Sequence, residues 1–169
     1  MSIVKGEYEL SVWRDVWKTD KFVEEKVAII SSDKMLDAGA QHRAYDISQK
    51  RNVNGQKSLT FKMSYMYYNP VTGEKKANPF VGMLANETKI KLKHKGKWHD
   101  YLIKNIVEDS KTHTCTYTAE DLFVNELSKN GFDVVLDRET GHNIGTNSEL
   151  ASFVLQGTDW TVGDGDISV

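Results

Sequence analysis

Residues 112–162 read THTCTYTAEDLFVNELSKNGFDVVLDRETGHNIGTNSELASFVLQGTDWTV, and local signals are densest there. Thr112 to Tyr117 is rich in Thr and ends on Tyr117, and predicts a strand. Thr118 stands where a hydroxyl can cap a helix, with Glu120 and Asp121 in a first turn that favours negative charge. Leu122, Phe123 and Leu127 follow the three-to-four spacing of a one-sided helix, and Asn130-Gly131 stops it, because glycine takes the left-handed C-cap without a clash. Phe132 to Leu136 is short, apolar and valine-rich, as a buried strand is. Thr146, Asn147, Ser148 and Glu149 then form a capping box for a second helix through Leu150, Ala151, Phe153, Val154 and Leu155, ended by Gly157. The stretch predicts a small βαβα unit with Trp160 packed on its last helix.

Upstream, the period changes from that of a helix to that of a sheet. Glu7 to Trp13 alternates, with Tyr8, Leu10 and Val12 on one face and Glu7, Glu9, Ser11 and Trp13 on the other. Arg14 to Lys21 (RDVWKTDK) reads as a turn with Trp17 folded back onto the core, and Glu24 to Ile30 as a second strand. Ser31 to Gln41 reads as one helical turn or a loop, and Arg43 to Ile47 as a short edge segment. Asn54-Gly55 is the strongest dipeptide signal for a tight turn. Ser58 to Tyr68 (SLTFKMSYMYY) predicts one long strand, with Leu59, Phe61, Met63, Tyr65 and Tyr67 sharing a face. Asn69-Pro70, Thr72-Gly73 and Asn78-Pro79 mark turns. Thr88 to Leu92 and Trp98 to Val107 flank Lys95-Gly96-Lys97 as a hairpin whose Lys89, Lys91 and Lys93 face outward and resist edge pairing. The polar run Glu108-Asp109-Ser110-Lys111 predicts a domain boundary, so residues 1–110 form a β domain and residues 111–169 a small α/β domain. Residues 163–169, GDGDISV, carry no stop signal and suit a fragment of a longer protein.

The bulk properties are those of a globular chain: 169 residues, 39% hydrophobic and 27% charged, with a net charge of −2. That balance lacks the basic footprint of a nucleic-acid binder. The single cysteine, Cys115, rules out an intrachain disulfide framework and fits folding in a reducing cytoplasm. Neither a signal-peptide core nor a run of membrane-spanning length is present, so no membrane insertion is expected.

No reacting constellation stands out. His94, His99 and His113 fall on candidate neighbouring strands and could make a three-histidine zinc site, but strand histidines are far more often simply exposed. His113 and Cys115 lie two apart on one strand face. A thiol–imidazole dyad there would want a positive pocket or a helix N-terminus that no neighbour supplies. Asp159, Asp164 and Asp166 lack calcium-loop spacing. Glu24-Glu25 and Glu108-Asp109 are adjacent acids on polar rims, where solvation is the ordinary role. Trp13, Trp17, Tyr65, Tyr67, Tyr68 and Trp98 could line a sugar platform, although core or interface packing is the commoner use. No catalytic residue, metal ligand or cofactor is assigned.

The phrases YTAEDLFVNEL, KNGFDVVL and NIGTNSELASFVLQGTDWTVG resemble the N-terminal region of tail-tip and baseplate-hub proteins of long-tailed phages. That group includes the tail-associated lysin and prophage endopeptidase tail proteins. The match rests on Gly145, Thr146, Glu149, Leu150, Ala151, Leu155, Thr158, Trp160 and Val162, and with the hairpin before it spans roughly residues 78–163. The resemblance implies an α+β, mainly β chain: a β-barrel-like antiparallel domain followed by the βαβα unit. It implies a structural, non-enzymatic hub component in a virion tail tip, homotrimeric, docked to distal tail and tube proteins and lining part of the DNA passage. A slightly negative chain gives such a conduit little counterion-release affinity for DNA. Lytic activity would lie in a C-terminal module outside this chain. Two other classes stay open: a carbohydrate-binding or receptor-recognition module, and part of a tail-associated peptidoglycan hydrolase.

Overall fold

The computed structural model describes residues 2–3, 6–51, 57–69 and 71–123. The chain divides into two compact units, Met1–Ser128 and Lys129–Val169, and the description concerns the first. It is mostly β. In chain order it holds β1 (Ser2–Ile3), β2 (Tyr8–Lys18), β3 (Lys21–Ser32), the short helix α1 (Asp33–Asp37) and β4 (Tyr45–Arg51). After these come β5 (Lys57–Ser64), β6 (Met66–Tyr68), β7 (Lys75–Ala77), β8 (Lys89–His94), β9 (Lys97–Asp109) and β10 (Thr114–Asp121). Every pairing is antiparallel. The main sheet has the order β1-β4-β5-β10-β9-β8-β2-β3, and β6-β7 is a separate ribbon.

Period-2 alternation builds the inner face. Leu59, Phe61 and Met63 on β5, Cys115, Tyr117 and Ala119 on β10, Ile90 and Leu92 on β8, and Leu10 and Val12 on β2 all face one core, which Ile30 and Ile47 join from β3 and β4. Phe61 and Tyr117, opposite each other in register, stack with ring centroids 5.0 Å apart. A single sheet can hide one face this fully only by curling on itself, and the twist of antiparallel strands supplies that curl. Phe80, Val81 and Leu84, from the segment after Asn78, also pack on this core.

The sheet does not close into a barrel. Its edges, β3 and β1, have no ladder between them. β3 instead meets the residue that leads into β4: the Ala44 amide donates to the Ile30 carbonyl at 2.8 Å and the Ser31 hydroxyl donates to the Ala44 carbonyl at 2.8 Å. Closure needs a run of such bonds, and β3 carries bulges that turn its edge away: its register against β2 skips Ile30 and Val27.

Several sequence expectations change. Arg14 to Lys21 is not a turn, because β2 continues to Lys18 and reverses over Thr19 and Asp20, whose φ values of 46° and 65° are the positive pair of a two-residue hairpin turn. Trp17 does not fold back but is 59% exposed. The strand expected over Ser58 to Tyr68 breaks at Tyr65, whose amide bonds the His113 carbonyl and whose carbonyl takes the Asn78 amide. The hairpin around Lys95-Gly96 forms, with both residues at positive φ.

The expected boundary after Ser110 falls inside the β9–β10 hairpin, and β10 sits in the middle of the sheet between β5 and β9. The polar run is the hairpin loop itself, in which the Asp109 carboxylate accepts from the Lys111 amide at 2.9 Å. No clear βαβα unit forms among the described residues. Its first strand belongs to the main sheet, and Thr118, expected as a helix cap, pairs with Thr60 and Asn105 inside β10. Helical backbone starts at Leu122, with the Asp121 carboxylate accepting from the Phe123 amide. The Asn54-Gly55 turn, the Phe132 to Leu136 strand, the helix capped by Thr146, and Trp160 lie outside the described residues. Among the described residues no helix is long and apolar enough to cross a membrane.

Candidate interaction surface

The strongest surface feature is built by β2 and β3. β8 accompanies β2 only from Tyr8 to Trp13; beyond that, Arg14–Lys18 and Lys21–Glu25 continue as a two-stranded ribbon. A bare two-strand ribbon is marginal in water, and here three devices hold it. The turn at Thr19-Asp20 has the hand that matches strand twist. Trp17 and Phe22 face each other across the ribbon, edge to face, with centroids 4.9 Å apart. At the base, Lys89 of β8 bonds Asp15 at 2.9 Å and lies 3.6 Å from Glu24, to which Lys91 is also paired. The outcome is a stiff ribbon whose tip shows two large aromatic rings, with Phe22 69% exposed.

The remaining aromatics do not converge on one platform. Trp13 and Trp98 meet edge to face at 6.0 Å, but their faces are attended by ammonium groups. Lys91 lies 4.6 Å from the Trp13 ring, and Lys26 and Lys93 lie 5.5 and 5.8 Å from Trp98. The Trp13 indole N–H donates to the Ser11 hydroxyl. A sugar ring stacking here would have to displace cations already held by the rings. Tyr67 packs against His42 at 5.2 Å, Tyr68 is exposed on the β6–β7 ribbon, and Tyr65 packs on the core. β8 is an interior strand, so Lys89 and Lys91 clamp the neighbouring ribbon and Trp13, where the sequence suggested guards of an edge.

The candidate reacting groups are dispersed. His94 and His99 share the inward side of the β8–β9 hairpin, opposite Lys97 and Leu92. His113 lies in the loop at the far end of β9, roughly 30 Å of strand away, so the three cannot share a zinc ion. His113 is exposed at φ 55° while Cys115 is buried in the core, so they form no dyad on one strand face. Glu24 bonds the β8 lysines, whereas Glu25 pairs with Lys18. Among the described residues no group of three His, Cys, Asp or Glu side chains could hold a metal ion. Asp159, Asp164 and Asp166 lie outside the described residues.

Burial and the nearby Lys57 ammonium push His99 below the ordinary histidine range; its Nδ1 stands 3.3 Å from Lys57 Nζ. Burial, first of all, pushes the Tyr101 phenol up to about 12, and its oxygen accepts from Gln49 Nε2. Neither contact sets a nucleophile beside a base.

The second feature is a cleft of about 220 Å³ at the other end of the β2–β3 pair, lined by Glu7, Tyr8, Glu9, Ile29, Ser32, Asp33, Lys34, Lys93 and Gly96. Sequence reasoning missed both tip and cleft. The one signal for the tip was the pair of aromatics, Trp17 and Phe22, within a charged segment.

Comparison of the chain with protein-family models and with curated proteins finds no match.

Proposed function

We propose that the chain is a structural component of a bacteriophage or prophage tail tip or baseplate hub, linking the tail tube to host-facing modules and contributing to the DNA passage. The observation that carries this reading is the pattern Gly145, Thr146, Glu149, Leu150, Ala151, Leu155, Thr158, Trp160 and Val162, which resembles that family's scaffold residues. Support comes from what the surface offers. A curled antiparallel sheet whose edge strands β1 and β3 have no further ladder among the described residues, and an aromatic-tipped ribbon, are suited to docking against other subunits. The partners in this reading are distal tail and tube proteins, with three copies of the chain in the particle at the virion tail tip.

Co-expression with the distal tail and tube proteins from the same gene cluster, followed by purification and electron microscopy, tests it. The expected result is a ring containing three copies of this chain. Failure to co-purify, or a fall in turbidity of a cell-wall suspension treated with the chain alone, overturns it. The second result would instead favour the hydrolase class.

A further inference from the structure

We propose that Arg51, Lys57 and His99, at the end of the sheet's inner face, form a binding site for a phosphate group. Such a site goes beyond the scaffold reading and does not rest on it.

Register brings these residues together. Inward positions alternate along each strand, and past Gln49, Leu59, Ala119 and Tyr101 the next ones are Arg51 on β4, Lys57 on β5, Asp121 on β10 and His99 on β9. His94 and Lys97 continue the same side on the β8–β9 hairpin. Arg51 and Lys57 are the last pair of the β4–β5 ladder and lie directly opposite each other, so their side chains leave the sheet on one side. β10 separates β5 from β9, which sets the backbones of Lys57 and His99 roughly 10 Å apart. Their tips nevertheless converge, with Lys57 Nζ 3.3 Å from His99 Nδ1.

That contact fixes the proton. An ammonium has only protons to give, so Lys57 donates, His99 Nδ1 accepts, and the neutral ring keeps its own proton on Nε2. The imidazole takes up one ammonium proton and none of the ammonium charge.

The charge stays uncompensated when every neighbour is counted. Among the described residues Arg51, Lys57 and Lys97 take part in no ion pair. Asp121 is the inward carboxylate beside them, and it accepts from the Phe123 amide at 3.1 Å. Asp100 and Glu120 alternate to the outer side, where Asp100 lies 3.5 Å from Lys91. Glu7 and Asp33 line the separate cleft together with Lys34 and Lys93. Three cations therefore share one carboxylate, and Lys57 and His99 are only partly open to screening water.

The donors define the ligand. A guanidinium fork, the remaining ammonium protons and an imidazole N–H come from three strands and three directions. A planar carboxylate is matched by one guanidinium alone, whereas donors from several directions suit a tetrahedral oxyanion. Its charge would also act on His99, which burial first, then Lys57 and His94, hold below the ordinary range against Asp121 and Asp100. A bound dianion reverses that balance and raises the ring's pKa. Binding then takes up a proton, and affinity grows as pH falls from the bound-state value towards the unliganded one.

The experiment titrates the full chain with inorganic phosphate in a calorimeter at constant ionic strength, with chloride as the background salt. Sulfate repeats it from pH 7.5 to 5, because its own charge does not change there. Saturable one-to-one binding is expected. Arg51→Met and Lys57→Met should each keep the wild-type circular dichroism spectrum and weaken binding about tenfold or more. Lys111→Met, in the loop at the other end of β9, should leave it unchanged. His99→Gln retains a donor and should bind while losing the pH dependence, and saturating sulfate should raise the pKa of His99 read by NMR.

No saturable response above the chloride background, wild-type affinity in Lys57→Met, or a His99 resonance indifferent to bound sulfate overturns the proposal. A short single-stranded oligonucleotide, titrated alongside, distinguishes the sources of the phosphate group. Binding tighter than inorganic phosphate and lost in Lys57→Met supports the site with a nucleic-acid backbone as its source. Weaker or equal binding, with phosphate still bound, supports it with a free phosphate.

Discussion

The Ser31 hydroxyl donates to the Ala44 carbonyl at 2.8 Å, tying edge strand β3 to the residue that leads into β4. That hydroxyl has one proton, so its 2.9 Å contact with Tyr8 must be donated by the phenol. The order is Tyr8 to Ser31 to Ala44, a relay across the point where the curled sheet comes nearest to closing. Ser31→Ala orphans the buried Tyr8 hydroxyl and should cost about 1–3 kcal/mol in a urea titration. Tyr8→Phe should cost less. Because the two share one network, the double variant should fall short of the sum by at least ~0.5 kcal/mol. Strict additivity would mean that the relay is not formed in solution.

Asn78 performs a comparable task for the segment leaving the sheet. Its side-chain amide donates to the carbonyls of His42 and Ser64, both at 2.9 Å, and its oxygen accepts from the Phe80 amide at 3.0 Å. Three backbone groups from separate segments therefore depend on one buried side chain. Asn78→Ala should destabilise the fold by about 3 kcal/mol, and Asn78→Asp by no less near neutral pH, since a carboxylate has no proton to donate. A chemical denaturation midpoint within ~0.5 kcal/mol of wild type for either variant would refute this.

How much of this was legible beforehand depended on whether a residue's partners were local. Leu59, Phe61 and Met63 alternate against polar neighbours because one face of β5 is core, so period alone places them. Lys95-Gly96 announces its turn because glycine is the ordinary choice at positive φ. By contrast, Arg14–Lys18 lies in a ribbon wet on both faces, so no apolar alternation marks it, and Thr19-Asp20 adopts a turn usually written with Asn and Gly. Thr118 has the local signature of a helix cap but neighbours on both sides in a sheet, and tertiary pairing overrode the local preference. The tip and cleft escaped because their relation is spatial: they lie at opposite ends of a strand pair whose length was itself underestimated.

His99 sets a pH dependence whose sign follows from its surroundings. Burial and the Lys57 and His94 charges depress its pKa, with Asp121 and Asp100 opposing. The unfolded chain therefore binds a proton more readily than the folded one between the ordinary value of about 6.5 and the lowered one. This contribution to stability is fully present above pH ~6.5 and is lost as pH falls through the folded-state value. Thermal melts from pH 7.5 to 5 should show wild type losing more than His99→Gln, and Lys57→Met should narrow the difference. A histidine ring titrating at or above 6.5 by NMR would remove the basis for this expectation.

Two tyrosines should respond to the same deletion with opposite signs. The Tyr65 hydroxyl is buried and has no hydrogen-bond partner of ordinary geometry among the described residues; the Cys115 thiol first, then burial and the Glu108 carboxylate, hold its pKa above the usual phenol value. The Tyr101 hydroxyl accepts from Gln49. Removing an oxygen with no hydrogen-bond partner of ordinary geometry among the described residues recovers its desolvation cost, so Tyr65→Phe should stabilise the protein by about 1 kcal/mol. Tyr101→Phe strands the Gln49 amide and should destabilise it by a similar amount. Urea midpoints read the pair directly, provided the m-values stay equal. Should Tyr65→Phe lose as much as Tyr101→Phe, the phenol must be donating to Cys115 or Glu108 in solution, and that corner of the core would be a working polar network.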